Sequence, residues 1–315
     1  MTANRQSIIF KIKILTAILL ICTGMLYGMQ VNAAGKVKIS KTSLLLLEGK
    51  TKKLQIKNTK KKVKWSSTNE KVATVTAKGK VKAISSGTCT IKAKVNNKIF
   101  RCTVTVCEDK KTLKYHNLQQ TYNPLKNQNR ILLAGSSSIR RWESADLAFS
   151  PYKVLNMGIG GSTIQQWLKW YKKLIVAYNP RAVILYPGAG NSLFRGNSVE
   201  EITQNVYKLL TKLHKELPDV PIYYISVFQN LKMKPKTKIS RATCNEIIRE
   251  YCEKIENVYY IDVASYLAED GIPLEGVISS DRVHLSQMGY LIWNATIVPE
   301  VKNNLRNLKI NALRQ

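Results

Sequence analysis

The segment Arg130–Arg140, RILLAGSSSIR, decides the fold of the larger part of the chain. Its apolar run Ile131–Ala134 has the length and composition of a buried strand. The glycine and serines after it are typical of a turn into a helix, where backbone N–H groups have no partner within the helix. Later apolar runs predict four more strands: Val154–Met157, Ala182–Tyr186, Ile222–Val227 and Val258–Asp262.

Amphipathic segments between these runs predict helices over Ser162–Tyr178, Val199–Leu217, Ile239–Glu256 and Ser286–Leu305. In the second of them, Ile202, Val206 and Leu209 recur at helical spacing. Strands that alternate with helices predict an α/β fold over residues 129–310: a mainly parallel five-stranded sheet with helices on both faces. The polar segment 108–128 before it is expected to be a linker or the lead-in to this domain.

Residues 35–107 follow a different pattern, with short β-type runs separated by turn residues, which predicts a small all-β sandwich. Asn96-Asn97 fits a two-residue turn between the last two strands. That pairing places Cys89 and Cys102 on the buried face of the sheet. A disulfide and two buried free thiols are both compatible with this placement. The predicted runs are Leu44–Leu47, Lys53–Ile56, Lys62–Trp65, Val72–Thr76, Val81–Ile84, Cys89–Val95 and Ile99–Val106.

The first 34 residues have the features of a secretory signal peptide. Basic residues from Arg5 to Lys13 precede the apolar run Ile14–Met29, and Val31-Asn32-Ala33 supplies small residues for cleavage. The apolar run is short for a stable membrane span. The sequence therefore predicts export, to the medium or the cell surface, with the leader either cleaved or retained as an anchor.

The charge and the cysteine spacing limit which polymers and metal ions the protein is expected to bind. The chain has 50 Lys and Arg against 20 Asp and Glu, a formal charge of +30, which favours anionic surroundings. Export argues against nucleic acid and leaves two interpretations, a solvated basic surface or an anionic cell-wall polymer bound through the N-terminal domain. The sequence contains no C-x-x-C pair, so no metal site is expected.

A serine and a histidine stand where nucleophilic catalysis needs them. Ser137 follows the first predicted strand and can present its hydroxyl at a helix N-terminus, although a plain helix cap fits the same position. Of the three histidines, His116 lies in the polar segment and His214 in an amphipathic helix. His284 follows a polar turn and is the leading candidate for a base. Asp281, three residues earlier, can orient that imidazole or instead cap the final helix.

The second predicted strand ends in the glycine-rich segment Asn156–Thr163. Glycine at such a strand end lets a backbone N–H approach a substrate carbonyl oxygen closely. Phosphate binding is the alternative use of such a turn. The glycine order does not match a dinucleotide-binding fingerprint, which argues against that ligand.

Taken together, residues 130–305 resemble the SGNH (GDSL-like) hydrolase superfamily, in the branch that reads G-S-S-S-I-R-x-W. The resemblance implies a serine esterase that uses no metal or organic cofactor. It implies Ser137 as nucleophile, Asp281 and His284 as its triad partners, and Gly161 as a backbone donor to the oxyanion. The implied substrate is an ester, with an acylated carbohydrate or a lipid as the candidates.

The third block of the family departs from its pattern here. The family expects G-x-N-D, with the asparagine side chain donating to the oxyanion, whereas this chain reads Gly188-Ala189-Gly190-Asn191. Gly190 takes the position of the family's asparagine. Asn191 can act as the oxyanion donor only if the alignment of this block shifts by one residue. Loss of one such donor typically lowers turnover roughly 100- to 1000-fold. The alternative function is therefore a surface adhesion or wall-binding protein with a weakened or inactive hydrolase domain.

The N-terminal domain carries its own resemblance. The run Trp65–Val75, followed by Gly79–Ala83 and Gly87-Thr88, is similar to the bacterial immunoglobulin-like domain of group 2. This resemblance implies a surface-associated accessory module, either adhesive or a spacer. It transfers no catalytic residue to this part of the chain.

Overall fold

The computed structural model describes residues 35–312 of the chain. The predicted signal segment, residues 1–34, lies outside the described residues. The described chain divides into two compact units, one formed by residues 35–44, 51–84 and 88–104, and the other by residues 45–50, 85–87 and 105–312. Within this described part, no helix combines the length and apolarity needed to cross a membrane.

The N-terminal region is all-β, as the sequence predicts. Its larger sheets have the strand orders β2-β9-β8-β5 and β3-β7-β6, and β1 pairs with β4. The predicted strand Lys53–Ile56 is interrupted, because Leu54 turns inward, is buried, and donates its N–H to the carbonyl of Gly79 at 2.8 Å. The strands are β1 Lys38–Ile39, β2 Ser43–Leu47, β3 Thr51–Lys53, β4 Ile56–Lys57, β5 Lys64–Ser67, β6 Ala73–Val75, β7 Lys80–Ala83, β8 Gly87–Val95 and β9 Lys98–Cys107.

The turn between β8 and β9 is formed by Asn96 and Asn97, as predicted, and Asn96 has a φ of 51°. Asparagine tolerates this left-handed conformation better than most residues. Cys89 and Cys102 lie on the buried face, and both thiols are free. Burial raises the pKa of Cys102 to about 11, so its thiol stays protonated at neutral pH. Of the predicted alternatives, the structure contains the buried free thiols.

The second unit contains a five-stranded sheet of order β11-β10-β12-β13-β14, in which every neighbouring pair is parallel. The predicted α/β class is confirmed. Gly135, the last residue of β10, pairs with Tyr186, the last residue of β12, so the two strands end side by side. The strands are β10 Ile131–Gly135, β11 Val154–Asn156, β12 Ala182–Tyr186, β13 Ile222–Ile225 and β14 Val258–Ile261, followed by the short pair β15 Ala268–Glu269 and β16 Ile272–Pro273.

Helices cover both faces of this sheet. Leu132 of β10 belongs to one buried cluster and Leu133 to another, because successive strand residues point to opposite faces. The result is a three-layer arrangement, helix on sheet on helix. The helices are α1 Lys110–Thr121, α2 Ser137–Arg140, α3 Ala145–Ala148, α4 Ile164–Leu174, α5 Ala189–Phe194, α6 Val199–Glu216, α7 Pro235–Glu253 and α8 Gln287–Ala312, with 3-10 turns at Pro124–Lys126 and Val176–Tyr178.

The segment 108–128 differs from a plain linker, because most of it forms α1. Asp109 caps this helix by accepting the Thr112 N–H at 2.7 Å. Leu118 is buried in the core of the second unit, and the Tyr115 ring stacks on Trp170 with a centroid distance of 5.3 Å. Because the buried face of α1 is narrow, most of its residues are polar, and the sequence did not predict a helix here.

Candidate active site

Ser137 is the most accessible of the three serines that follow β10. Ser136 and Ser138 are both buried, whereas Ser137 is partly exposed at the first position of α2. Gly135 makes this turn possible, since an added Cβ would lie 2.3 Å from the carbonyl oxygen of Tyr186. The hydroxyl of Ser137 therefore emerges at the carboxyl end of the sheet, beside the free N–H groups of a helix start.

His284 and Asp281 lie on a tight loop that precedes α8. The loop is closed by an N–H bond from Ser279 to the carbonyl of His284 at 2.8 Å, and Arg282 turns the chain with a φ of 66°. An isolated β-bridge between Ile278 and Leu285 fixes the base of the loop. The backbone alone therefore brings the carboxylate and the imidazole onto one side of the turn.

The structure brings together the three side chains that the sequence singled out. His284 Nε2 lies 2.8 Å from Ser137 Oγ, and His284 Nδ1 lies 2.7 Å from Asp281 Oδ2. An N–H at Nδ1 facing the carboxylate leaves the Nε2 lone pair for the serine hydroxyl. This continuous hydrogen-bonded chain joins residues 147 positions apart in sequence. The arrangement suits removal of a proton from Ser137.

Asp281 is held as a carboxylate by its own loop. The backbone N–H groups of His284 and Val283 each donate to Oδ1 at 2.9 Å, as does the Ser279 hydroxyl. These bonds, with the backbone N–H of His284 first, hold the pKa of the Asp281 carboxyl well below its usual range. The alternative role of Asp281 as a cap of the final helix is not what the structure has, because Ser286 Oγ accepts the Gly289 N–H in the first turn of α8.

Gly161, the predicted backbone donor, has a φ of 70°, a conformation that favours glycine. The turn that contains it packs tightly against the third block. Gly188 has a φ of 92°, and a Cβ added there would lie 2.1 Å from the carbonyl oxygen of Ser162. The glycine-rich segment Asn156–Thr163 and the third block are therefore in direct backbone contact beside the site.

Asn191 lines the same cavity as Ser137 and His284. Its Nδ2 donates to the carbonyl oxygen of Ser162 at 2.8 Å, and this bond connects the third block to the glycine-rich segment. A primary amide has two N–H hydrogens, so one remains for another acceptor. Gly190 also lines the cavity and contributes no side chain to it. The role of Asn191 as an oxyanion donor stays a prediction.

The cavity beside Ser137 is small, with a volume of about 30 Å³. One water needs roughly 10–15 Å³ of such space, so this cavity holds a group of about two heavy atoms. Aromatic and aliphatic side chains contribute to its lining: Tyr186, Phe194, Val227, Phe228 and Met233. Such a lining suits a short acyl chain.

The remaining sequence candidates lie apart from this cavity. His116 is in α1, where burial lowers its pKa, and His214 is in α6, where its Nδ1 is buried and has no hydrogen-bond partner. Trp142, Trp167 and Trp170 are buried in the core. Across residues 35–312, no group of three or more His, Cys, Asp and Glu side chains could hold a metal ion.

Two side chains near the site were not found by sequence reasoning. Arg141 Nη1 lies 3.0 Å from Asp281 Oδ2. The Tyr290 hydroxyl donates to the carbonyl oxygen of Ser138 at 2.8 Å and so links α8 to the nucleophile turn. A single arginine next to a motif carries no signal of its partner, and neither does a tyrosine in the first turn of a helix.

Comparisons with known proteins identify the families of both regions of the chain. A family model described as GDSL-like Lipase/Acylhydrolase family matches residues 127–292, and one described as Bacterial Ig-like domain (group 2) matches residues 33–106. Platelet-activating factor acetylhydrolase IB subunit alpha2 of Rattus norvegicus is 24% identical over 171 residues, which cover 51% of this chain and 70% of that protein.

Two solved structures share the fold at low identity. A protein from Streptococcus pneumonia described as a platelet activating factor has a TM-score of 0.53 at 17% identity, covering 62% of this chain and 94% of its own. A protein from Bacteroides fragilis described as an acylhydrolase has a TM-score of 0.52 at 18% identity, covering 63% of this chain and 100% of its own. Since the first family model matches more than half of the chain, this protein belongs to the GDSL-like lipase/acylhydrolase family and carries a group 2 bacterial Ig-like domain before its hydrolase domain.

Proposed function

We propose that this protein is an exported serine esterase that removes short acyl groups, chiefly acetyl, from carbohydrate. The observation that carries the proposal is the chain of contacts from Ser137 Oγ through the imidazole of His284 to Asp281. Such a chain lets a hydroxyl act as a nucleophile near neutral pH. Neither a metal nor an organic cofactor takes part in the proposed reaction.

The reaction proceeds by acyl transfer through the serine. His284 Nε2 takes the hydroxyl proton as Ser137 Oγ bonds to the ester carbonyl carbon, and Asp281 stabilises the imidazolium that forms. The resulting oxyanion accepts from the N–H groups of Ser137 and Gly161, with the Asn191 amide as a further donor. The C–O bond to the alcohol then breaks, and the alcohol leaves with the proton from His284. Water repeats the same steps to release the acid.

The size of the cavity supports a short acyl group. A volume of about 30 Å³ beside Ser137 suits an acetyl methyl better than a long acyl chain. The mammalian relatives are named acetylhydrolases, which agrees with an acetyl ester. Carbohydrate as the alcohol rests on the predicted export, which places the enzyme among polysaccharides. A lipid ester is the alternative substrate.

The second candidate function is adhesion to an anionic cell-wall polymer, with a weakened hydrolase domain. Its motivation is Gly190 in place of the family's asparagine, together with a basic face on the Ig-like domain. On that face Lys64 lies opposite Lys94 across neighbouring strands, and both are exposed. Like charges in directly opposed positions repel, so an anionic ligand would stabilise this face.

One set of measurements separates these functions. The purified protein is assayed on acetylated oligosaccharides and on p-nitrophenyl esters of increasing chain length, with Ser137→Ala as control. Acetate release and fluorophosphonate labelling that both require Ser137 support the esterase. No labelling, together with salt-sensitive binding to purified cell wall, supports adhesion. N-terminal sequencing of protein recovered from the medium tests export and cleavage of the leader.

A further inference from the structure

Arg141 links the nucleophile turn to the acid of the proposed triad. It is the C-cap residue of α2, and its backbone N–H donates to the carbonyl of Ser137 at 3.0 Å. This position, one helical turn after the nucleophile, directs its side chain toward the loop that precedes α8. There Nη1 lies 3.0 Å from Asp281 Oδ2. The contact joins residues 140 positions apart in sequence.

The oxygen that Arg141 contacts is the one that faces the imidazole. Asp281 Oδ1 is occupied by the loop's own donors, whereas Oδ2 receives both the guanidinium and His284 Nδ1. A cation on this oxygen offsets part of the negative charge that would stabilise a protonated imidazole. The guanidinium and the imidazole are therefore coupled through one carboxylate oxygen.

We propose that Arg141 is a positioning residue that holds Asp281 Oδ2 toward His284 and extends the activity of the enzyme to lower pH. This inference rests on the proposed esterase function. It adds a residue at the variable position of the first block, between Arg140 and Trp142, for which the family pattern implies no role. Its effect acts through Asp281 and requires no contact with the substrate.

The contact between Arg141 and Asp281 is not explained by a contribution to folding stability. The side chains of Arg141 and Asp281 are 39% and 38% exposed, and ion pairs in such positions contribute little to folding. The contact has another consequence, because the shared Oδ2 couples the guanidinium directly to the hydrogen bond that orients His284. We therefore expect the loss of Arg141 to change the pH profile more than the stability.

Other charged groups surround this pair and define the controls. Arg140 and Glu143 lie on the same side of the nucleophile turn, and Arg282 is exposed on the histidine loop. Tyr290 approaches from α8, and burial raises its pKa far above neutral, so it remains uncharged. Within the described residues Arg282 makes no ion pair. It is the matched control: a cation next to Asp281 in sequence, without the contact.

The test is the pH dependence of kcat/KM for p-nitrophenyl acetate in the full-length protein. A guanidinium beside Oδ2 opposes protonation of the imidazole, so its removal lets the protonated form persist to higher pH. We expect the acid limb of Arg141→Gln to move upward by about 0.5–1 pH unit at low ionic strength, as the loss of one neighbouring charge would predict. Arg141→Lys keeps the charge and should move the limb less than half as far. Arg282→Gln should move it least.

Salt provides a second readout that a structural role would not produce. The contact is solvent-accessible, so high salt should reduce the difference between the wild-type limb and the limb of Arg141→Gln. An unshifted limb in Arg141→Gln, with activity lowered equally at every pH, would overturn the proposal. So would a limb displaced to lower pH. Thermal melting of each variant identifies any that has failed to fold.

A direct titration keeps this inference separate from the esterase proposal. The chain has only three histidines, so the imidazole signals of His284 can be assigned by NMR with a His284→Gln control. An upward shift of the His284 titration midpoint in Arg141→Gln supports the coupling even when no ester is hydrolysed. If wild-type protein hydrolyses esters but the midpoint is unchanged, the coupling fails and the esterase proposal stands.

Discussion

The two sides of the candidate site differ in how completely their polar groups are matched. On the side of the proposed triad, both nitrogens of His284 and both oxygens of Asp281 have partners between 2.7 and 3.0 Å. On the oxyanion side, Gly190 offers no side chain, and the Asn191 amide already donates to Ser162. In the proposed reaction, every polar atom of the proton-transfer chain therefore has a partner, whereas charge stabilisation would depend mainly on backbone N–H groups.

The largest effect is expected from breaking the well-matched side. Asp281→Asn keeps the shape of the side chain but reverses its preference for the His284 tautomer, so kcat should fall by about 10⁴-fold. The measurement is steady-state hydrolysis of p-nitrophenyl acetate. Asp262→Asn, in the loop after β14, is the control and should retain activity within a few-fold. Near-normal turnover in Asp281→Asn would contradict the triad.

Removal of the Asn191 amide tests the oxyanion side of the site. If Asn191 uses its second N–H on the oxyanion, Asn191→Ala should lower kcat by roughly 100-fold with little change in KM. The neighbouring Ser192→Ala is the control, because its buried hydroxyl donates to the carbonyl of Gly188 and not into the cavity. A loss below about 3-fold would show that backbone donors alone carry the oxyanion.

An asparagine at position 190, as the family has it, should give the oxyanion side a side-chain donor and so make it more like the triad side. Gly190 has no positive φ, and an added Cβ would meet only Val227 Cγ1 at 3.3 Å, so a side chain fits with a small adjustment. Gly190→Asn should raise kcat by roughly 10- to 100-fold, because a donor is added where the charge develops. Gly190→Ala, which adds bulk without a donor, should give no gain. Equal rates in both variants would place the oxyanion elsewhere.

A smaller effect is expected at the cavity wall. Met233 lines the cavity, so Met233→Ala should enlarge it and raise the butyrate-to-acetate ratio of kcat/KM by about 10-fold. The control is Met288→Ala, since Met288 is 54% exposed and does not line the cavity. A ratio that is unchanged in Met233→Ala would show that the acyl group binds outside this cavity.

The sequence predicted much of the fold, because the signals involved are local. The five strands of the parallel sheet differ from their predicted bounds by at most two residues. The helix over 110–121 was not predicted, since only Leu118 among its side chains is buried and the rest read as a polar segment. Its existence depends on the core surface that the rest of the domain provides.

The sequence by itself determined the strand–helix alternation, the identity of the candidate nucleophile, and the spacing of Asp281 and His284 on one loop. The alternation is encoded by the hydrophobic period and the spacing by a single turn, whereas the nucleophile is what the family resemblance of the G-S-S-S-I-R-x-W segment implies. The tertiary structure decided where the Asn191 amide points, that Arg141 shares an oxygen with His284, and that Cys89 and Cys102 are buried as free thiols. Those outcomes depend on partners distant in sequence, and no local pattern specifies which side chain will meet them.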